Sequence, residues 1–172
     1  MGKLAFVRLE DDAVLLRPFG EDDVPVIVAA CQDPEIPRWT HVPSPYTEED
    51  ARSFLARSAE GSFAITDAQT GELLGAIGLH RVEEGIGQIG YWVVRAARGR
   101  GVATRALRLI SRWGFEELGL PRLQLLTEPE NTPSQRVAEK AGFQREGLLR
   151  AYAELKGRRP DFYMYSLLPG DV

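Results

Sequence analysis

Cysteine and histidine are scarce in this chain of 172 residues, which contains one cysteine, Cys31, and two histidines, His41 and His80. A single cysteine excludes an internal disulfide, and so few thiol and imidazole groups argue against a zinc or iron–sulfur site. We therefore expect no metal. Low cysteine content is also typical of proteins in the reducing cytoplasm, so we predict a cytoplasmic location.

Long apolar runs and an excess of positive charge are missing as well. The longest apolar run, VPVIVAAC at residues 24–31, is far shorter than the ~20 residues that span a bilayer, so we expect no membrane contact. The net charge of -4 argues against a nucleic-acid partner, because phosphate neutralisation requires a basic surface. Any anion site must therefore be a local feature.

The remaining composition is that of an ordinary globular protein, with 44% hydrophobic and 27% charged residues, and we predict a single domain over residues 1–172. Apolar periodicity and turn residues predict the order β-α-α-β-β-β-α-β-α-β-β. The predicted elements are a strand at 13–19, helices at 21–32 and 47–61, strands at 62–68, 73–82 and 88–94, a helix from Val102 stopped by Gly119, a strand at 122–128, a helix at 131–143 and a closing hairpin made of 143–157 and 161–168. Such an order indicates a mixed α/β class (α+β mixed), with a mostly antiparallel sheet of six or seven strands and about four helices.

Two helix starts carry clear capping signals. Thr47 with Asp50 three residues later resembles a capping box. In NTPSQRVAEKAGF we predict Thr132 as the N-cap and Pro133 as the first helical residue, with Gly142 as the left-handed stop. The proline-rich segment 33–46 is predicted to be a loop or a set of short turns.

The most unusual stretch is RAARGRGVATRA at residues 95–106, which combines four arginines and two glycines. It lies between the apolar strand IGYWVV and an amphipathic helix, and a helix N-terminus that follows a glycine-rich turn favours anions. Gly99 and Gly101 leave the N–H groups accessible, and Arg98 and Arg100 could add charge-assisted hydrogen bonds to phosphate oxygens. The alternative is a solvated turn with arginines that serve solubility.

Two common nucleotide motifs do not fit this stretch. A dinucleotide fingerprint needs glycine or alanine where Thr104 stands, and it follows a strand of a parallel unit rather than the end of an antiparallel meander. A phosphate-binding loop of the Walker type would end in Gly-Lys-Ser or Gly-Lys-Thr, which is absent here.

The pattern Arg98-x-x-Gly101-x-Ala103 in RGRGVATRAL resembles the acyl-CoA-binding motif of the GNAT superfamily of N-acetyltransferases. IGYWVV is similar to the fourth strand of that family, ENTPSQRVAEKAGF to its Asn-x-x-Ser helix, and GLLRAY with GRRPDFYMYSLL to its closing hairpin. Together these elements resemble the subgroup of ribosomal-protein N-terminal acetyltransferases, and the resemblance covers residues 10–169.

This resemblance implies that acetyl-CoA is the co-substrate and that backbone groups hold it. The turn and helix start would bind its pyrophosphate, and the end of the preceding strand would pair with its pantetheine arm. The implied pyrophosphate residues are Arg98, Gly99, Arg100, Gly101, Val102, Ala103 and Thr104, and the implied pantetheine residues are Trp92, Val93, Val94 and Arg95. The side chains of Tyr91 and Trp92 themselves are expected to pack in the core.

The resemblance further implies that Asn131 contacts the pantetheine chain and that Ser134 lies near the thioester sulfur as a general acid. A hydroxyl in the first turn of a helix could protonate a departing thiolate. Ser134 could instead serve only to satisfy a free N–H of that turn.

The general base is left open by the sequence. Relatives often carry glutamate where this chain has Gln88, which cannot accept a proton. His80 is a candidate because histidine changes charge near neutral pH. The other candidates are Glu83, Glu154 and Asp161.

The family places its variable acceptor loop where PRWTHVPSPY stands, so Arg38, Trp39 and Tyr46 are candidate substrate contacts, unless the loop only covers a core. The predicted function is acetyl transfer to a primary amine, either a protein N-terminus or a small molecule, by direct attack in a ternary complex. Alternatives are transfer of succinyl instead of acetyl, or a CoA-binding sensor with little turnover. A homodimer is possible because the family often pairs.

Overall fold

The computed structural model describes residues 7–58 and 61–172, and the strands of this part form one eight-stranded sheet in the order β1-β2-β3-β4-β5-β6-β8-β7. The strands are β1 (Leu9–Glu10), β2 (Val14–Arg17), β3 (Ser62–Asp67), β4 (Leu73–Glu83), β5 (Ile86–Val93), β6 (Arg122–Thr127), β7 (Gln144–Leu149) and β8 (Phe162–Leu167). The helices are α1 (Val24–Ala30), α2 (Glu35–Trp39), α3 (Glu48–Arg57), α4 (Val102–Glu116) and α5 (Thr132–Lys140).

The sheet is antiparallel except at one pair. Strands β1 to β5 form an antiparallel meander, and β8 is antiparallel to both of its neighbours. The single parallel pair is β5 with β6, because the chain crosses over through α4 between them. The predicted mixed, mostly antiparallel class is confirmed.

Helices cover both faces of the sheet. Successive side chains along a strand point to opposite faces, so the core is divided into two clusters, one on each face. On β3, Phe63 and Ile65 pack with α4 on one face, while Ala64 packs with α1 and α3 on the other. The apolar stripe predicted for α4 is buried throughout, and Trp113 on it meets Phe63 edge-on with ring centroids 5.3 Å apart. Full burial of one such large side chain contributes about 1.5–3 kcal/mol.

Two short elements were missed, so the counts of six or seven strands and about four helices are slightly low. The first is β1, whose two residues pair only with β2. The second is α2, which lies inside the proline-rich segment 33–46. Pro37 is tolerated there because it falls in the first turn, where N–H groups have no intrahelical partner.

The closing hairpin also differs from the prediction of a turn around GRRP. Strand β7 ends at Leu149, and residues 150–161 form a long loop before β8 begins. Ala151 and Lys156 in this loop adopt left-handed backbone conformations, with φ of 45° and 52°. A regular strand cannot pass through such positions, so the loop leaves the sheet.

The capping predictions are confirmed at α3 and corrected at α5. Thr47 and Asp50 form the reciprocal capping box. Asn131, rather than Thr132, caps α5, because its amide Oδ1 accepts the Ser134 N–H at 3.3 Å. Gly142 follows α5 with φ of 93°, as predicted for a left-handed stop. No helix among the residues described is both long and apolar enough to span a bilayer.

Candidate active site

Strands β5 and β6 diverge after a short paired stretch. They are in register from Ile86–Arg122 to Gln88–Gln124, and beyond this point β5 continues to pair only with β4 on its other side. Where the strands separate, Gln124 Nε2 donates to Gln88 Oε1 at 3.2 Å. The last part of β5 therefore presents a free backbone edge to the opening.

A cavity of about 990 Å³ occupies this opening. It is lined at one end by the start of α4 and by α5, and at the other by α2, α3 and the loop between β7 and β8. Since α4 and α3 cover opposite faces of the sheet, the cavity passes through the sheet between the two strands. Residues 98–104 are named the cradle here, and segments 35–46 and 150–161 together are named the loop wall.

The cradle presents backbone N–H groups to the cavity. Gly101 is the N-cap of α4 with φ of 76°, and glycine has no side chain with which to cap the helix. The first hydrogen bond of the helix runs from Arg105 N to Gly101 O at 3.0 Å, so the N–H groups of the preceding helical residues have no intrahelical acceptor. A Cβ on Gly99 or Gly101 would meet no atom within 4 Å and would point into open space. This arrangement suits a phosphate group.

Two of the four arginines around the cradle are committed to acidic residues. Arg98 forms an ion pair with Asp33 at 2.8 Å, and its Nε donates to Val93 O at 3.1 Å. Arg105 pairs with Asp11 and Asp12 at 2.9 and 2.6 Å. The Arg98 guanidinium, which is predicted to bond phosphate oxygens, also fixes the cradle to the chain segment before α2.

The N-terminus of α5 brings two hydroxyl groups together. Tyr91 OH lies 3.1 Å from Ser134 Oγ. Burial raises the pKa of Tyr91 to about 12, against the opposing effect of its hydrogen bond to Ser134, so the phenol remains a proton donor at neutral pH. Tyr91 packs against the core as expected, but its contact with Ser134 was missed. Alternation along β5 was the available signal, since it puts Tyr91 on the same face as Ile89 and Val93.

Most of the residues singled out by sequence line this cavity. They are Trp39, Tyr46, His80, Trp92, Val93, Arg98, Gly99, Gly101, Val102, Ala103, Thr104, Asn131, Ser134 and Glu154. The remaining ones lie outside its lining, namely Arg38, Glu83, Val94, Arg95, Arg100 and Asp161. Arg38 stacks over the Trp39 ring at 4.3 Å and lines a smaller neighbouring cavity instead.

Among the residues that the structure describes, three carboxylates line the cavity, and two of these are already engaged. Glu35 accepts a hydrogen bond from Trp39 Nε1 at 3.2 Å, and Asp50 accepts one from Thr47 N at 2.8 Å. Glu154, on the loop wall, makes no hydrogen bond or ion pair with the residues that the structure describes. Its carboxylate is therefore available to a bound ligand.

Residues 7–58 and 61–172 contain no cluster of three or more histidine, cysteine or acidic side chains that could hold a metal ion. The single thiol, on Cys31, is buried and lies outside the lining of the large cavity. Burial raises its pKa to about 12, so the thiol is not a nucleophile at neutral pH.

Comparisons with known proteins agree with this geometry. Residues 13–144 match the family described as an acetyltransferase (GNAT) domain. The chain is 35% identical over 170 residues to an uncharacterized N-acetyltransferase, p20, of Bacillus licheniformis, covering 93% of this chain and 95% of that one.

Solved structures share the fold. A GNAT-family acetyltransferase from Bacillus anthracis has a TM-score of 0.87 at 27% identity. The match covers 94% of this chain and 98% of that one. A putative ribosomal-protein-serine acetyltransferase from Vibrio cholerae has a TM-score of 0.82 at 24% identity, covering 96% and 99%, and supports the fold alone. The chain belongs to the GNAT family and is an N-acetyltransferase that uses acetyl-CoA as its co-substrate.

Proposed function

We propose that this enzyme transfers the acetyl group of acetyl-CoA directly to a primary amine while both substrates are bound. The observation that carries the proposal is the cavity through the sheet, which has the cradle at one end and the loop wall at the other. Two substrates can approach one reaction centre from opposite faces. Direct attack is further supported by Cys31, whose burial outside the cavity leaves no thiol to carry the acetyl group.

Backbone groups bind acetyl-CoA in this proposal. The N–H groups of the cradle, from Arg98 to Thr104, hold the pyrophosphate. The end of β5 and the residues after it, from Trp92 to Arg95, pair with the pantetheine arm through the backbone groups that face the opening; Val94 N is not one of these, because it donates to Leu74 O of β4. One N–H of this edge donates to the thioester oxygen as negative charge develops on it. Asn131 uses its Oδ1 to cap α5, which leaves its amide NH2 for the pantetheine chain.

Ser134 acts with Tyr91 as the general acid. Ser134 lies in the first turn of α5, where the helix dipole favours a negatively charged leaving group. A proton given by Ser134 Oγ to the departing thiolate can be replaced from Tyr91 OH across their 3.1 Å hydrogen bond. The raised pKa of Tyr91 keeps this second proton in place until it is needed.

Glu154 is the general base in our proposal. An acceptor amine is protonated near neutral pH and must lose a proton before it attacks. Glu154 lines the cavity from the loop wall and is not engaged with another described residue, whereas Gln88 is neutral and bonds to Gln124. His80 also lines the cavity and is the second candidate; its imidazole lies over Gly78.

The acceptor is proposed to be the N-terminus of a protein. The loop wall end of the cavity is bordered by exposed residues such as His41, so an extended chain end can enter it. Trp39 and Tyr46 would flank the entering segment. A relative from Bacillus subtilis, 36% identical over 100 residues, is named a putative ribosomal N-acetyltransferase, which is consistent with this acceptor class. A small amine is the alternative acceptor.

The test is a screen with purified enzyme and acetyl-CoA. The acceptors are short peptides that differ in their first residue, the same peptides with blocked N-termini, and small amines such as spermidine and glycine. Release of the CoA thiol is measured, and mass spectrometry locates the acetyl group. We expect turnover with peptides whose N-terminus is free and none with blocked peptides. Turnover only with small amines would select the alternative, and binding of acetyl-CoA without turnover of any amine would contradict the proposal.

A further inference from the structure

A group of charged side chains ties the loop wall together outside the main cavity. Arg158 forms a two-pronged ion pair with the buried carboxylate of Glu128, at 2.5 and 2.9 Å. The same guanidinium donates to Arg38 O at 3.2 Å. Glu128, Lys156 and Arg158 are named the clasp here. They surround a second cavity of about 390 Å³, which also contacts Trp39.

Lys156 closes the other side of the clasp. Its Nζ donates to Pro37 O at 2.6 Å and also to Val42 O. Burial lowers the pKa of Lys156, and the nearby positive charge of Arg158 lowers it further. The loop between β7 and β8 is thus bonded to α2 and to the residues just after it, although these segments lie far apart in the sequence.

The clasp connects the three segments that carry the proposed catalytic and acceptor residues. Glu128 precedes α5, and its carbonyl accepts hydrogen bonds from Asn131 N at 2.9 Å and Gln135 Nε2 at 3.2 Å. Its carboxylate therefore stands on the turn that presents Ser134. Arg158 stands four residues after Glu154 in the same loop. A single ion pair consequently fixes the loop with Glu154 against the helix with Ser134.

We propose that Arg158 is a positioning residue for the acceptor substrate. It holds the loop wall in place through its contacts with Glu128 and Arg38 O. This inference rests on the proposed function, because it assumes that the acceptor binds at the loop wall. Removal of one partner leaves the buried Glu128 carboxylate without its counterion, and the loop must then move to expose it to water. Among the described residues, no hydrogen bond or ion pair joins the cradle to the Arg158 side chain, so we expect acetyl-CoA affinity to change little when Arg158 is replaced.

The experiment compares Arg158→Ala with a matched control, Arg122→Ala. Arg122 forms an equally two-pronged pair with Glu146, at 2.6 and 3.0 Å, and neither residue lines the main cavity. The probe is the free peptide with the highest turnover in the screen above. For Arg158→Ala we expect kcat/KM for this peptide to fall by about tenfold to 100-fold, while the Kd for acetyl-CoA changes less than about twofold. Arg122→Ala should change neither quantity.

A second readout does not require an acceptor. Hydrogen exchange is followed in residues 35–46, whose backbone the clasp holds. We expect faster exchange there in Arg158→Ala and unchanged exchange in Arg122→Ala. If wild-type enzyme acetylates no amine, the proposed function fails, but this readout still tests the clasp.

Three outcomes would overturn the inference: wild-type kcat/KM for the peptide in Arg158→Ala, an equal loss in Arg122→Ala, or unchanged exchange in residues 35–46. If Arg158→Ala does not fold, Glu128→Gln provides the same comparison, because it removes the charge of the ion pair but keeps the size of the side chain. Arg158→Lys keeps the charge but cannot form the two-pronged pair, and we expect it to lie between wild type and Arg158→Ala.

Discussion

The cradle and the loop wall form opposite ends of one cavity, but they are built in different ways. The cradle consists of seven consecutive residues, 98–104, and its chemistry comes from N–H groups and two glycine conformations. The loop wall joins segments separated by more than a hundred residues, through side-chain contacts such as Lys156 to Pro37 O. A site made by local backbone is encoded in a short motif, whereas a site made by distant side chains is not.

The largest effect is expected from Gly101→Val, which acts on the cradle alone. Its side chain would project into the open space in front of the α4 N–H groups and exclude a phosphate. Loss of several charge-assisted hydrogen bonds should weaken acetyl-CoA binding by about 1,000-fold or more. The measurement is the thermal shift caused by excess acetyl-CoA. At 100 times the wild-type Kd, the ligand adds ~2.7 kcal/mol to the free energy of unfolding of the wild type.

Gly71→Val is the control for backbone strain. Gly71 has the same φ of 76°, and a Cβ added there would also meet no atom within 4 Å. It lies, however, in the turn between β3 and β4. Both variants should lose about 1–3 kcal/mol of stability, because valine is strained at positive φ. Only Gly101→Val should lose acetyl-CoA binding; equal affinity in the two variants would contradict the assignment of the cradle.

A smaller effect is expected from Glu154→Gln, which acts on the loop wall alone. Loss of the general base should lower turnover by about 100-fold, and the glutamine keeps the size of the side chain. The Kd for acetyl-CoA should not change. The defect should shrink as the pH rises, since more of the acceptor amine is then already deprotonated. Steady-state kinetics over a range of pH values measure both effects.

His80→Gln is the matched comparison, because His80 lines the same cavity and is the other base candidate. We expect it to retain most of the wild-type turnover. If His80→Gln shows the larger, pH-dependent defect and Glu154→Gln does not, the two roles must be exchanged.

The smallest effect is expected at Ser134 and Tyr91, which lie between the cradle and the loop wall. Ser134→Ala and Tyr91→Phe should each lower kcat by about tenfold with little change in acetyl-CoA affinity. Because the two hydroxyls form one hydrogen bond, the double variant should lose less than the product of the two single losses. Multiplicative losses would show independent roles, and unchanged kcat in Ser134→Ala would leave Ser134 only its place in the helix turn.

The features that could be predicted from sequence depend on short stretches. The stripe from Val102 to Trp113, the capping box at Thr47 and the stop at Gly142 follow from the preferences of neighbouring residues, and the structure confirms them. The glycines of the cradle could also be predicted from neighbouring residues, because the turn and the helix start that they form lie in one short stretch of the chain.

The features that were missed depend on contacts across the fold. Helix α2 is too short to show an apolar period, and its stability comes from packing of Ile36 rather than from helix propensity. The pairing of Arg98 with Asp33 joins residues 65 positions apart, and nothing in either local sequence indicates it. The contact between Tyr91 and Ser134 likewise requires that β5 and α5 be placed side by side.

The ion pairs of Arg98 and Arg105 have a consequence for how the enzyme responds to salt. Since Asp33 and the Asp11–Asp12 pair already balance these two guanidinium groups, they add little net charge, and the fixed N–H dipoles of the cradle carry a larger share of its attraction for phosphate. Attraction by exposed charges is screened over about 10 Å at 0.1 M ionic strength, whereas hydrogen bonds inside a cavity are screened much less. Two of the four arginines in this stretch are thereby kept from making substrate binding depend on the ionic strength around it.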